Sequence, residues 1–302
     1  MTRELFLYLS RRESLRRWME SWPPSRKVTR RFVAGETLDA ALGVCEQLQK
    51  EGIFSTLDHL GENVHTLEEA SASCDAYVSA LEQIAARGLS STIAIKLTQF
   101  GLDLSTEACL DNVRRLEAKA KTAASRVEID MESSAYTERT LAIAIQAGQE
   151  CGCARVCVQA YLHRSAGDIE RLNAAGVPVR LAKGAYREPP SVAFPRKQDV
   201  DANYVALMKK LLDEGTYPAI ATHDEKIIRE AMEYVEGRSI RLDSFEFQML
   251  YGIRRDLQRM LIEKGFRLRL YIPYGTEWYP YFMRRLAERP ANLWFVLKNL
   301  LK

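Results

Sequence analysis

The chain has 302 residues, enough for one α/β barrel, a fold that uses about 250 residues as a single domain. Hydrophobic residues make up 47% of the chain, which allows a full-sized core, and a net charge of +3 argues against a nucleic-acid-binding protein. No apolar run approaches the ~18 residues of a membrane-spanning helix, so none is expected. The six cysteines lack the spacing of a disulfide framework, which favours buried free thiols in a reducing compartment.

The first 22 residues are predicted to form an amphipathic helix. Leu5, Leu9, Leu15 and Trp18 alternate with arginines along this stretch. Such a helix packs on the body of its domain or touches a lipid surface, and packing is the commoner case. We therefore predict an N-terminal helical segment at residues 1–35, followed by a barrel domain at residues 36–302.

Eight short β-like runs follow, and helical stretches separate them. The predicted strands are residues 54–57, 92–98, 126–131, 155–160, 178–182, 218–222, 244–248 and 267–272. The predicted helices between them are residues 67–87, 106–123, 137–147, 166–174, 200–212, 225–235 and 254–263. Further helices are predicted at residues 36–50, 278–288 and 291–301.

The polarity of these strands distinguishes a closed barrel from an open parallel sheet. In the third strand Val127 and Ile129 alternate with Glu128 and Asp130, and other strands repeat this pattern of one apolar and one polar face. Strands of an open parallel sheet are usually apolar on both faces. A (βα)₈ barrel of the TIM type explains the pattern, because the apolar face lies under the helices and the polar face lines the lumen.

The active site of such a barrel lies at the carboxyl ends of its strands. Lys96 and Asp130 are predicted to face inward there from adjacent strands, either as a lumen salt bridge or as a substrate contact. A Schiff-base role for Lys96 or Lys183 stays open. Arg284 and Arg285 can clamp an anion such as a carboxylate if their helix crosses the barrel mouth. A solvated helix face is the alternative for this pair.

Motifs for other chemistry are weak or absent. The sequence contains no G-x-G-x-x-G after a strand, no Walker loop and no G-x-S-x-G elbow. His59, His163 and His223 could meet at one rim with Asp130, which keeps a metal-dependent barrel hydrolase as the alternative enzyme class. A non-catalytic flavin or small-molecule binder is the third possibility.

Six ordered segments together resemble the proline dehydrogenase family. The strongest is residues 271–285, YIPYGTEWYPYFMRR. The others are 55–62 (STLDHLGE), 158–161 (VQAY), 179–186 (VRLAKGAY), 221–224 (ATHD) and 245–250 (FEFQML). The resemblance runs from about residue 54 to residue 301 and implies a distorted (βα)₈ barrel that binds FAD without a covalent bond. We expect no metal ion in its site.

The resemblance also implies roles for individual residues. The implied catalytic residues are Lys96, Asp130, Arg180 and Tyr271. The implied proline-binding residues are Lys96, Leu250, Tyr271, Tyr281, Arg284 and Arg285, with Asp130 positioning Lys96. The implied FAD-binding residues are Gln159, Arg180, Lys183, Gly184, Ala185, Tyr186, Thr222, His223 and Glu246, with Arg180 near flavin N5.

The resemblance is to the short, monofunctional bacterial type, without an aldehyde dehydrogenase or DNA-binding domain. It implies oxidation of L-proline to 1-pyrroline-5-carboxylate, the first step of proline catabolism to glutamate. A separate aldehyde dehydrogenase would use the product, and a membrane quinone would accept the electrons. We expect a cytoplasmic protein, with peripheral contact to the inner membrane left open. We also predict that Glu62 pairs with Arg180 across the mouth.

Overall fold

The computed structural model describes residues 31–61 and 64–288, with side chains through Met283. Its eight strands form a closed parallel barrel in which each strand pairs with the next along the chain and the last pairs with the first. The strands are β1 Phe54–His59, β2 Ser91–Ile95, β3 Val127–Ile129, β4 Ala154–Gln159, β5 Val179–Ala182, β6 Ala219–Ala221, β7 Glu246–Leu250 and β8 Leu268–Tyr274. The predicted (βα)₈ barrel is therefore confirmed, and each strand overlaps its predicted position.

Helices connect the strands and surround them. They are α1 Leu38–Lys50, α2 Leu67–Ala86, α3 Thr106–Thr122, α4 Thr137–Cys151, α5 Ser165–Ala174, α6 Lys197–Glu214, α7 Glu225–Gly237, α8 Arg255–Glu263 and α9 Trp278–Glu288. Thr66 and Ser105 cap α2 and α3 by accepting hydrogen bonds from the N–H groups of Glu69 and Ala108. These caps explain why both helices begin where the sequence predicts.

The helix α4 is longer than predicted. The sequence analysis ended it at residue 147, before Gly148, yet the helix continues to Cys151 and stops at Gly152, whose φ is 76°. A Cβ at position 148 would lie 3.0 Å from Cγ2 of Val177. Gly148 is therefore a close-packing position inside the helix, which the sequence pattern could not distinguish from a helix end.

The two faces of the strands separate an apolar shell from a polar lumen. Leu57, Ile93 and Ile129 are fully buried in the main core, beneath the surrounding helices. The end of the lumen where the strands begin, which we call the lower lumen, holds charged residues instead. Arg155 pairs there with Glu128 (3.1 Å) and Glu246 (2.5 Å). The predicted division between apolar and polar strand faces is confirmed.

The last helix and residues 31–35 pack together beside the carboxyl end of the barrel. Phe32 and Phe282 lie with ring centroids 6.1 Å apart, in a cluster that also contains Leu60 after β1 and Ile253 after β7. The N–H of Gly275 donates to the carbonyl of Gly35 (2.9 Å), which ties the segment to the end of β8. Residues 1–30 and the helix predicted at 291–301 lie outside the described residues. Among the described helices, none is long and apolar enough to span a bilayer.

Candidate active site

Four polar side chains from four strands meet at the carboxyl end of the lumen. Lys96 and Asp130 directly follow β2 and β3, Arg180 lies in β5 and Tyr271 lies in β8. Their inward direction follows from the period of two along each strand, because their apolar neighbours face the helices. All four of the catalytic residues predicted from the sequence therefore lie in one cluster.

Asp130 is the centre of this cluster. One carboxylate oxygen forms an ion pair with Arg180, and the other accepts a hydrogen bond from the Tyr271 hydroxyl (2.7 Å). The ammonium of Lys96 is 3.8 Å from the second oxygen. The guanidinium carbon of Arg180 also lies 5.8 Å from the centroid of the Tyr271 ring. A single carboxylate thus holds two cations and one phenol in a fixed arrangement.

The charges in the cluster determine its protonation. Burial by itself would raise the pKa of Asp130, but the charges of Arg180 and Lys96 outweigh burial and hold that pKa below its ordinary value. Burial and the charge of Asp130 raise the pKa of Tyr271 well above that of an exposed tyrosine. At neutral pH the site therefore presents an ionised Asp130 and a protonated Tyr271.

Asp58 is a site residue that the sequence analysis left without a role. It lies in β1, is 2% exposed, and accepts a hydrogen bond from the Lys96 ammonium (3.2 Å). Burial raises its pKa, partly offset by the charge of Lys96. A carboxylate on the inward face at the end of a predicted strand was the available signal. Its contact with Lys96 depends on the closure of the barrel.

Two residues predicted to contact the substrate ring lie in one apolar cluster. Tyr281 in α9 is 7% exposed, and the partly buried Leu250 at the end of β7 packs against the same cluster. Arg284 and Arg285 belong to the same helix, but their side chains lie outside the described residues, as does Glu62 with its predicted pairing to Arg180. These three assignments stay predictions.

Most residues predicted to bind the cofactor follow β4, β5 and β6 along one side of the mouth. Gln159 is the last residue of β4, and its side-chain oxygen accepts a hydrogen bond from the N–H of Ala185 (3.4 Å). Gly184 has a φ of +110°, and a Cβ there would lie 2.2 Å from Cδ1 of Tyr161. Only glycine fits this position, which allows the 183–186 backbone to lie close against Tyr161.

The mouth continues into a groove of about 1040 Å³ outside β6. His223 lines it, together with the cations Lys197, Lys226, Arg229 and Arg254 and the carboxylates Asp201, Asp224, Glu225 and Glu230. The N–H of Leu250 donates to Nε2 of His223 (2.9 Å), which orients the ring. At the edge of the groove Lys183 pairs with Asp201 (2.5 Å) and Asp224 (2.8 Å).

The structure separates Glu246 from this set. It begins β7, at the end of the strand opposite Leu250, and it is fully buried. Its two carboxylate oxygens accept from Arg155 (2.5 Å) and Arg269 (2.8 and 3.2 Å), so its hydrogen-bonding capacity is used inside the lower lumen. We therefore assign Glu246 to the structural network and omit it from the proposed cofactor site.

The three histidines behind the metal-hydrolase alternative have separate surroundings. His59 stacks on Tyr274 with ring centroids 5.0 Å apart, whereas His163 forms a hydrogen bond with the carbonyl of Pro190 (3.0 Å). Nε2 of His223 accepts a hydrogen bond from the N–H of Leu250. Within residues 31–61 and 64–288 no three potential metal ligands converge. The expected meeting of these three histidines at one rim, which motivated the metal-hydrolase alternative, is therefore not found among the described residues.

Proteins similar to this chain in sequence and in structure point to one family. The sequence model of the family described as Proline dehydrogenase matches residues 41–298. Proline dehydrogenase 1 of Bacillus subtilis subsp. natto is 42% identical over 302 residues, covering the whole of both chains. Proline dehydrogenase of Deinococcus radiodurans is 41% identical over 277 residues, covering 90% of this chain and 89% of the relative.

A larger protein contains a similar fold. The crystal structure of proline utilization A from Bdellovibrio bacteriovorus, inactivated by N-propargylglycine, superposes with a TM-score of 0.81 at 26% identity. The match covers 87% of this chain and 33% of that protein, so the chain spans about a third of that structure. The family model covers most of the chain, and the full-length similarity agrees with it. The chain therefore belongs to the proline dehydrogenase family of enzymes.

Proposed function

We propose that this enzyme oxidises L-proline to 1-pyrroline-5-carboxylate with FAD as its cofactor and passes the electrons to a membrane quinone. The cluster of Lys96, Asp130, Arg180 and Tyr271 carries the proposal, because it joins cations for a carboxylate to a partly buried aromatic ring at the mouth of the barrel. Membership of the family supplies the general reaction, the oxidation of proline.

Substrate binding is derived from charge and shape. The ammonium of Lys96 lies between Asp58 and Asp130 and supplies a positive charge for the proline carboxylate. Arg284 and Arg285 would complete this clamp from α9. The rings of Tyr271 and Tyr281, with Leu250, would pack on the pyrrolidine ring. Fixing the carboxylate and the ring together restricts the substrate to one orientation, which lowers the entropy cost of reaching the transition state.

Asp130 acts as a positioning residue in this proposal. It holds Arg180 and Tyr271 directly and lies close to Lys96, so its loss would release three groups at once. Because its pKa is held low, it stays ionised while the substrate amine loses its proton. We therefore expect kcat/KM to rise with pH until the amine of proline, or an enzyme group, is deprotonated.

The donor chemistry of the residues at the ends of β4 and β5 fits FAD. Gly184 lets the 183–186 backbone lie close to Tyr161, and Gln159, Arg180 and Lys183 supply amide and cationic donors of the kind that bind a pyrophosphate on the same side of the mouth. Gln159, Arg180, Lys183, Gly184, Ala185, Tyr186, Thr222 and His223 would hold the cofactor. When bound, FAD would supply the hydride acceptor for the ring carbon next to the proline nitrogen. The protein contributes orientation and charge around that step.

The proposed partners follow from this chemistry. The two electrons must leave the enzyme before another turnover, and a quinone is the proposed acceptor. A separate aldehyde dehydrogenase would consume the glutamate semialdehyde formed by hydrolysis of the imine. The proposed location is the cytoplasm, with peripheral membrane contact as the meeting place with the quinone.

A visible spectrum tests the cofactor and the substrate separately. Purified protein is expected to absorb near ~450 nm, and anaerobic proline is expected to bleach that band. Protein that stays colourless and inactive after addition of FAD would contradict the flavin assignment. A yellow protein that proline does not bleach would contradict the substrate assignment.

A matched pair of variants tests the role of Lys96. Lys96→Met removes the charge beside Asp130, whereas Lys50→Met removes an exposed charge at the end of α1. We expect K96M to bind flavin but to need at least about 10-fold more proline for half-bleaching, since one charge-assisted hydrogen bond is worth roughly 1.5–3 kcal/mol. K50M is expected to match the wild type. Equal proline dependence in all three proteins would remove Lys96 from the substrate site.

A further inference from the structure

A second charged cavity lies at the end of the barrel opposite the active site. It has a volume of about 670 Å³ and opens between the starts of β1, β2 and β3 and the loop before β6. We call it the basal cleft. Its lining residues are Phe54, Ala85, Gly88, Leu89, Ser90, Ser91, Thr92, Thr122, Ala123, Ala124, Ser125, Arg126, Tyr217, Arg267 and Arg269. Three of these are arginines and none is an aspartate or glutamate.

The three arginines differ in how they are neutralised. Arg269 pairs with Glu246 (2.8 Å), whereas Arg267 donates to the backbone carbonyl of Asp243 (2.8 Å) and to the Tyr217 hydroxyl (3.3 Å). The guanidinium of Arg126 lies over the Tyr217 ring, 5.3 Å from its centroid. Among the described residues the guanidinium of Arg126 has neither an ion pair nor a hydrogen bond. The outer wall of the cleft therefore carries positive charge without a matching carboxylate.

The backbone around the cleft compensates for this charge only in part, through the negative ends of two helix dipoles. The helices α2 and α3 both end there, and carbonyl oxygens at a helix end are the usual acceptors for a nearby arginine. In α2, the carbonyls of residues 84 and 85 accept the N–H groups of Leu89 and Gly88. In α3, the carbonyls of residues 120 and 121 accept those of Ser125 and Ala124. These four carbonyls are engaged within their own turns, and none of them accepts a hydrogen bond from the Arg126 side chain.

The charges deeper in the barrel balance one another and so do not neutralise the outer arginines. Arg126, Arg155 and Arg267 all lie within 5.7 Å of the Tyr217 ring centroid, and Arg269 lies further inside. Among the described residues Glu128 and Glu246 pair with Arg155 and Arg269, whereas Arg126 and Arg267 at the cleft form no ion pair. Burial lowers the pKa of Arg126, and the charge of Arg155 lowers it further. An anion in the cleft would relieve this repulsion.

We propose that the basal cleft binds a small tetrahedral oxyanion of the phosphate class. Guanidinium groups suit such an anion because their N–H groups match its oxygen spacing, and Arg126 has its donors available. The hydroxyl of Ser90, at the rim of the cleft, adds a donor of the kind that phosphate sites use. The site is separate from the mouth, since its strand residues lie before or at the starts of their strands, whereas Lys96 and Asp130 follow theirs.

Calorimetric titration with inorganic phosphate tests the proposal. The flavin-loaded protein would be titrated at constant ionic strength, with chloride replacing phosphate, so that general screening is held fixed. We compare Arg126→Gln with Arg115→Gln, which removes the same charge from the exposed surface of α3. We expect R126Q to bind phosphate about 10- to 100-fold more weakly, as expected for loss of one charge-assisted contact. R115Q is expected to match the wild type.

Two results would overturn the proposal: no saturable phosphate binding by the wild type, or the same affinity in R126Q as in the wild type. Arg267→Gln provides a second variant should R126Q fail to fold, and it too must weaken binding. Proline oxidation by R126Q without phosphate is expected to equal that of R115Q, because neither residue lies at the mouth. A loss of that activity together with phosphate affinity would indicate general damage and would also count against a distinct basal site.

Discussion

The carboxyl of Glu117 allows a quantitative test of burial in this fold. Glu117 lies in α3, is fully buried, and neither of its carboxyl oxygens has a hydrogen-bond partner among the described residues. Burial raises its pKa from 4.5 to about 7, the nearby backbone N–H of Cys153 partly opposes this, and the charge of Glu150 adds to it. A difference of about 2.5 pKa units between the unfolded and folded states corresponds to about 3 kcal/mol.

The direction of the effect follows from proton binding. The folded protein holds the Glu117 proton more tightly than the unfolded chain does. Its contribution to the free energy of unfolding is therefore fully present below about pH 4.5 and is lost as the pH rises to about 7. Above that pH the protein carries a buried, unpaired carboxylate. Glu117→Gln removes the titration, so the variant should gain about 2–3 kcal/mol relative to the wild type between pH 5 and pH 8.

Urea unfolding followed by circular dichroism at pH 5 and pH 8 measures this difference. Glu107→Gln is the matched control, because Glu107 is an exposed carboxylate of the same helix. We expect its pH dependence to follow that of the wild type within a few tenths of a kcal/mol. Parallel pH dependence for the wild type and E117Q would show that the carboxyl of Glu117 is hydrated or paired in solution, and would refute the argument from burial.

Three further predictions concern the two ends of the lumen. Replacing both Arg284 and Arg285 by Met should leave a folded, yellow protein that loses most of its preference for proline over pyrrolidine, which we expect to be about 10²–10⁴-fold in the wild type. An unchanged ratio of kcat/KM for proline to kcat/KM for pyrrolidine would place the carboxylate elsewhere. Tyr271→Ser should open space beside Asp130 and improve the relative use of hydroxyproline, measured as kcat/KM for both substrates, and an unchanged ratio would exclude the tyrosine from the pocket. Glu246→Gln should lower the free energy of unfolding by about 3–5 kcal/mol, because it leaves buried arginines unpaired, while the folded fraction keeps its flavin; loss of flavin from stable protein would return Glu246 to the cofactor site.

Part of the candidate site was accessible to reasoning from the sequence. Alternation along the strands predicted that Lys96 and Asp130 face the lumen, because neighbouring residues in a strand point to opposite faces. Closure of the barrel then brought Arg180 and Tyr271 to the same carboxylate, from strands five and eight. Asp58 received no role beforehand, since its meaning depends on its 3.2 Å contact with Lys96 and no local pattern encodes that contact.

Glu246 shows the opposite case. The family resemblance of a short segment assigned Glu246 to cofactor binding, but the structure places it at the beginning of β7 and therefore at the base of the lumen. The two ends of a strand only five residues long are close in sequence and lie at opposite ends of the barrel. A motif spanning both ends thus contains residues with unrelated surroundings, and Arg155 and Arg269 reach Glu246 from distant parts of the chain.

The sequence by itself determined the order of the elements, the two faces of each strand and the family, because these depend on local periodicity and on ordered short segments. Only the tertiary structure decided which charges meet. It joined Asp58, Lys96 and Asp130 at the mouth, and among the residues it describes it left the Arg126 side chain without a carboxylate partner in the basal cleft. The physical reason is that ion pairing and burial act over a few ångströms in space, between residues that lie tens to hundreds of positions apart in the chain.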